Sequence, residues 1–241
     1  MSRLVSTIRT DMTVQLRNNL YTIGIIAGIL VAVAISQVTG PEHLKSIVPA
    51  LMLMVAGGST LLYVAGMIIF EKDEGTLNSV IVSPLRTSEY ILSKVISLTA
   101  LATLESFVMI GGAMLIMSFS DSVTFPNIPL LLFGIIAIGV IYTLIGIILI
   151  VRFDRITDFL IPMSVIAVLL QLPFLYFLGW VVHPVFLIIP TSAPAMLMQG
   201  AYIPLTTWEW GYAVVYTATQ VGVFSVWAYR AFNQHIVMKV N

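Results

Sequence analysis

The stretch EKDEGTLNSVIVSPLRTSEYILSK, residues 71–94, carries Glu71, Lys72, Asp73, Glu74, Arg86, Glu89 and Lys94, about a third of the chain's charged side chains. Long apolar runs flank it on both sides. Ions are costly at membrane depth, so a greasy chain that concentrates them in one internal segment presents that segment to water. The rest of the reading follows from this island and from the runs that border it.

Of the 241 residues, 59% are hydrophobic and 9% charged, with a mean hydropathy of +1.03. A soluble domain is about 25% charged, so this chain lacks the polar groups to cover its own surface. The composition defines an integral membrane protein, and apolar runs of about 20 residues make an all-α one the expectation, since helices satisfy their backbone within one segment. Net charge is zero, which gives no basic field for nucleic acid. There is no cysteine, hence no disulfide or thiolate metal site, and His43, His183 and His235 are too scattered for a metal cluster.

Six spans are expected, over residues 20–38, 47–70, 95–119, 129–151, 159–178 and 210–229, within one transmembrane domain of residues 1–241. Each approaches the roughly 20 residues that cross a hydrocarbon core of about 30 Å. Residues 1–18 precede the first span, with Leu4, Val5, Ile8, Met12 and Leu16 spaced by three or four and Arg3, Arg9 and Arg17 between them. This is the pattern of a helix lying in the membrane interface, arginines toward anionic headgroups; a cytosolic tail is the other reading. Ala32-Val33-Ala34 after a basic lead also suits a signal peptide, but the apolar run continues past it. Gly24 and Gly28 form a small face suited to close helix contact.

Orientation follows from the basic residues. With both termini in the cytosol, ten of the eleven lysines and arginines face inward and Lys45 alone faces out. The island is then cytosolic. Residues 179–209 are too apolar for a soluble loop and too interrupted by Pro184, Pro190, Pro194 and Pro204 for a straight span. They are expected to form re-entrant or interfacial helices on the outer side, with Trp180, Tyr202, Trp208 and Trp210 at headgroup level. Two further short spans are the competing arrangement.

Within the island, Leu77, Val80, Ile81 and Pro84 follow Gly75 and Thr76 at helical spacing. Proline ends the run, so a helix of about two turns with an apolar stripe is expected, and such a stripe needs a groove on another protein. Thr87 or Ser88 is placed to cap the third span, with Glu89 in its first turn. The bland reading is a solvated connector.

The run Glu71-Lys-Asp-Glu-Gly-Thr-Leu, then Ser83-Pro-Leu, Glu89-Tyr and Lys94, resembles the signature of the type-2 ABC exporter permeases (type V exporter fold). The resemblance extends to six spans, cytosolic ends, an interfacial helix and proline-rich re-entrant helices, and so covers nearly the whole chain. It implies that residues 71–84 form a coupling helix docking on a separate nucleotide-binding subunit through Glu71, Glu74, Gly75, Thr76, Leu77, Val80, Ile81 and Pro84. It implies an ATPase partner carrying ATP and Mg, a second permease copy or paralogue, and a place in a prokaryotic cytoplasmic membrane. Asn78 departs from the pattern where many members carry an acid. Residues 9–21, RTDMTVQLRNNLY, are similar to the start of permeases for drug export, including fluoroquinolones. The chain itself contains no Gly-Lys pair and therefore no phosphate-cradling GxxxxGK[ST] loop. A permease subunit rather than an enzyme is expected, moving an amphipathic or hydrophobic molecule outward.

Glu105 stands inside the third span, about 16 Å along the helix from Lys94. Thr99, Thr103 and Ser106 run beside it, and Gln171 and Gln220 lie within spans five and six. These residues are candidates for a translocation path, and a hydrogen bond between helices is the structural alternative for Glu105. The competing function is an ATP-independent proton-coupled carrier or channel that titrates Glu105. A membrane enzyme would need a clustered catalytic set that the sequence lacks.

Overall fold

The computed structural model describes residues 3–77, 85–119, 123 and 125–238. Every described regular element is helical. Helix α1 (Arg3–Arg17) lies against the bundle and turns at Asn18-Asn19 into α2 (Leu20–Val38), with Asn19 in the left-handed region at φ 58°. Asparagine is enriched in that conformation. A 3₁₀ turn (Pro41–His43), α3 (Leu44–Leu51), a π turn (Met52–Ala56) and α4 (Gly57–Asp73) form one continuous rod. Helices α5 (Thr87–Met117), α6 (Ile128–Ile150), α7 (Ile156–Gln171) and α8 (Phe174–Phe177) follow. A 3₁₀ turn (Pro184–Ile188), α9 (Ser192–Gly200), α10 (Thr207–Phe232) and a π turn (Asn233–Val237) complete the chain.

Among the described residues five stretches are long and apolar enough to cross a membrane: Leu20–Val38, Pro41–Asp73, Thr87–Met117, Ile128–Ile150 and Ile156–Phe177. The protein is multi-pass. Helix α10 contains the expected sixth span and has the length, but Glu209, Thr217, Thr219 and Gln220 make it more polar than these five.

Helices in lipid gain little from hiding apolar groups, so close packing must hold them together. Small residues supply it. Gly24, Gly28 and Ala32 on α2 meet Glu105, Val108 and Gly112 on α5, and a methyl at Gly28 would come within 3.1 Å of the Glu105 carbonyl oxygen. The deeply buried α6 uses Gly134 against α9, Gly139 against Thr99 of α5 and Gly146 against Val64 of α4. The stripe at Gly24 and Gly28 therefore marks a real contact face.

Interruptions in the rods are satisfied by side chains from neighbours. Pro49 inside α3 has no N–H to donate, and the π turn follows directly. Two carbonyls of that turn are taken: Tyr142 Oη donates to Leu53 O at 3.2 Å, and Gln171 Nε2 to Met54 O at 3.2 Å. Pro173 separates α7 from α8, and Thr191 Oγ1 donates to Leu170 O at 2.6 Å.

Residues 179–209, expected as a pair of helices, contain one short 3₁₀ turn and one α-helix. Pro184 opens the 3₁₀ turn, and Pro194 sits in the first turn of α9, where a missing N–H costs nothing. Pro190 lies in the turn between them. Residues Ser192–Met198 of α9 are buried against α3, α6 and α10. Carbonyls of the 3₁₀ turn accept hydrogen bonds from Ser192, Tyr212 and Tyr216 at 2.5–2.6 Å. Trp180, Trp208 and Trp210 are exposed, whereas Tyr202 is half-buried.

Helix α5 begins at Thr87, earlier than the span expected from residue 95. Neither Thr87 nor Ser88 caps it. Arg86 is the capping residue, and its backbone N–H is taken by the Glu89 carboxylate at 2.9 Å. Thr87 is then free to donate to Asn233 Oδ1 at 3.1 Å. At 31 residues α5 is about 46 Å long and outreaches the hydrocarbon core.

Packing at the π turn can be tested directly. A methyl added at Gly57 would lie 2.3 Å from the Tyr142 ring, whereas Gly111 has open space. Gly57→Ala is expected to cost about 1–3 kcal/mol of stability, read as a lower unfolding temperature in detergent, and Gly111→Ala to leave it unchanged.

Candidate functional site

The candidate site is the end of the bundle where α4 runs into the island. Helix α4 ends at Asp73, and Gly75 follows at φ 70°, its N–H donating to Lys72 O at 3.1 Å. A left-handed residue after the last turn is the usual glycine stop of a helix. Thr76 Oγ1 then donates to Glu71 O at 3.1 Å. Asp73, Glu74 and Thr76 are exposed, whereas Leu77 is buried against the bundle. Val80, Ile81 and Pro84, expected on the same stripe, lie outside the described residues, as does Asn78.

Glu71 points inward rather than into solvent. Its Oε1 pairs with Lys94 Nζ on α5, and its Oε2 accepts from Tyr90 Oη at 2.5 Å. Lys94 is fully buried and also meets Asp11 Oδ1 of α1 at 2.6 Å. Ser93 Oγ donates to Asp11 Oδ2 at 2.7 Å. One ammonium thus joins two carboxylates from two other helices. Each of the four carboxylate oxygens has a partner, as burial of charge requires.

Further ties surround the triad. Lys72 Nζ donates to Phe153 O at 2.5 Å and stands 3.6 Å from Asp154 Oδ1, holding the turn between α6 and α7. Tyr90 packs on Phe232 with ring centroids 5.0 Å apart. Together with the Thr87–Asn233 bond, these ties bring α1, α4, α5, the 152–158 turn and the end of α10 to one place. Among the described residues no group of carboxylates and histidines is arranged to hold a metal ion.

Sequence reasoning missed Asp11, Ser93 and Tyr90. A signal was present for Asp11: it is the one acid among residues 1–18, and it falls seven and three residues after Leu4 and Ile8, on their face. An acid on the apolar side of a helix needs a buried partner, a cation or a hydrogen-bond donor.

The candidate path residues do not converge. Glu105 is buried between α2, α4 and α5, where Ser59 Oγ donates to Oε2 at 3.0 Å and the Tyr63 hydroxyl and Gly24 flank the carboxylate. Thr99 and Thr103 lie on another side of α5, lining an apolar groove of about 550 Å³ against Ile136 and Val140 of α6. Thr103 Oγ1 donates to Thr99 O at 2.7 Å. Gln171 is committed to the π turn, and Gln220 is half-buried on α10.

An all-helical, multi-pass bundle whose ions gather at one end is the build of a membrane permease. The chain belongs to the fluoroquinolones export permease protein family, whose model matches residues 2–240. It is similar to two proteins of Mycobacterium tuberculosis, from strains CDC 1551 / Oshkosh and ATCC 25618 / H37Rv, each named a fluoroquinolones export permease protein. Each is 28% identical over 246 residues, covering 99% of this chain and 98% of the relative.

The triad makes a definite demand on stability. Lys94→Met leaves two buried carboxylates unpaired and is expected to cost about 3–5 kcal/mol. Adding Asp11→Asn and Glu71→Gln to the same chain is expected to recover most of that loss, measured as thermal unfolding in detergent.

Proposed function

We propose that this chain is the membrane-spanning subunit of an ATP-driven exporter that moves drug-like, amphipathic molecules, fluoroquinolones among them, out of the cytoplasm. The names of its relatives support the cargo. The observation that carries the energy source is the segment Glu71-Lys-Asp-Glu-Gly-Thr-Leu at the foot of α4, with exposed Asp73, Glu74 and Thr76 beside a buried ionic joint.

In this reading α10 is the sixth span, both termini are cytosolic and the membrane is the cytoplasmic one of a prokaryote. Residues 71–84 couple the bundle to a separate ATPase subunit that holds ATP and Mg, with Asp73, Glu74 and Thr76 on the docking side and Glu71 in the buried joint behind them. Two permeases, identical or paralogous, pair around the path. Motor closure pushes the segment, and the triad passes the push to α1, α4 and α5 together, because Lys94 grips all three. A ridged joint of this kind moves as a unit, since buried charges resist separation.

A proton-coupled carrier is the second reading, and the buried Glu105 is the observation that favours it. The two readings differ in what Glu105→Gln does. In an ATP-driven permease the amide still accepts from Ser59, and efflux from reconstituted vesicles persists; in a proton carrier the same change abolishes it.

The coupling assignment is tested at Gly75. A Cβ there meets no neighbouring atom within 4 Å, but a β-branched residue is strained at φ 70° by about 1–3 kcal/mol. Gly75→Val is expected to redirect the segment, reducing ATPase co-purification and efflux while the subunit stays in the membrane. Unchanged association and efflux would overturn the assignment.

A further inference from the structure

We infer that the groove between α5 and α6 is a binding site for the ring system of a planar aromatic molecule bearing a carbonyl oxygen, entered from the membrane. The choice of cargo class rests on the exporter reading, whereas the site rests on the groove itself. Thr99, Ala100, Thr103 and Phe107 of α5 line it with Ile136 and Val140 of α6, around a volume of about 550 Å³. Sites for drug-sized molecules run from roughly 300 to 1,000 Å³, with apolar walls and few polar groups. Ile96 and Leu104 are exposed at its mouth, on a helix long and apolar enough to cross the membrane.

Two hydroxyls enter this apolar lining, and they differ. Thr103 Oγ1 donates to Thr99 O at 2.7 Å, the usual return of a helical threonine onto the preceding turn. Thr99 is 6% exposed, and its Oγ1 is buried with no hydrogen-bond partner among the described residues. The contact with α6 is made by its methyl, 3.1 Å from where a Cβ would stand at Gly139. Valine would make that contact equally well, so packing does not account for the hydroxyl. A polar group buried without a partner is unfavourable, and an acceptor on a ligand would satisfy it.

That unmet donor selects the occupant. A lipid tail would fill the apolar walls but offers Thr99 no acceptor. A helix from another chain would bring carbonyls already used in its own ladder. A planar ring carrying a carbonyl supplies apolar faces for the walls and an oxygen for Thr99. Phe107 ends the groove, and beyond it a second apolar cavity of about 230 Å³ continues toward Phe125 and Pro126. The groove begins at Val95, next to the triad lysine, which in the proposed orientation is the cytosolic leaflet.

The test is direct binding of tritiated ciprofloxacin, a planar fluoroquinolone with a ring carbonyl, to the permease in phosphatidylcholine nanodiscs, with empty discs subtracted. Saturable binding is expected. Thr99→Val is expected to weaken it about three- to tenfold while the unfolding temperature stays the same or rises, because an unmet hydroxyl has been removed. Ala100→Trp, which fills the groove at its smallest side chain, is expected to abolish binding. Val165→Trp, at an exposed position of α7, is expected to leave it unchanged. Binding that survives both Thr99→Val and Ala100→Trp overturns the inference alone, as does a Thr99→Val loss that comes with a lower unfolding temperature. A phospholipid that co-purifies with the wild-type chain and is released by Ala100→Trp, with Thr99→Val without effect, makes a lipid tail the occupant and also overturns it. Absence of any binding to the wild-type chain overturns the inference together with the cargo reading.

Discussion

A lysine with no solvent contact, held between carboxylates from two other helices, is the constraint on which the architecture at this end of the bundle rests. Removing three charges from water is unfavourable, and it is tolerated where geometry is good and the remaining oxygens are satisfied. Tyr90 and Ser93 satisfy them here. The consequence is positional. Asp11 fixes how α1 is turned, and the pair Glu71–Lys94 fixes the end of α4 against the start of α5. A fully apolar joint would permit sliding between these helices, whereas an ion pair of defined length does not.

The remainder of the bundle uses a different physics. Away from the triad, helices are held by small residues that let backbones approach and by single hydrogen bonds that repair broken rods. Tyr142 and Gln171 attend to the π turn, and Thr191 to the end of α7. These repairs explain why polar side chains sit in a chain this apolar. For Gln171 the repair replaces the role in a path that its mid-span position suggested. Glu105 is likewise engaged with a neighbouring helix through Ser59, though a carboxyl is a costly choice for a bond an amide would make.

Much of this was legible in the residues. The apolar runs lie on the long helices, whose ends reach up to eight residues beyond them at the start of α5, and small-residue spacing at Gly24 and Gly28 marked a true interface. What stayed hidden depends on helix rotation and on pairs far apart in sequence. Asp11 and Lys94 are 83 residues apart, and nothing local says that they meet. Six residues at about 100° each put Thr99 and Glu105 on different sides of α5, a separation that the spacing already carried and that grouping them as one path overlooked. Glu89 stands in the first turn of α5 as expected, but Arg86, whose N–H it takes, is the capping residue in place of Thr87 or Ser88.

In the proposed function the segment after α4 meets a motor protein. The most direct measurement is site-specific crosslinking from Glu74→Cys, an exposed position in a chain free of other cysteines, in cells that co-express the ATPase subunit. The account predicts a crosslink from position 74 to the ATPase and none from Trp208→Cys, which lies exposed at the opposite end of the bundle. A crosslink from position 208 with none from position 74 would contradict it.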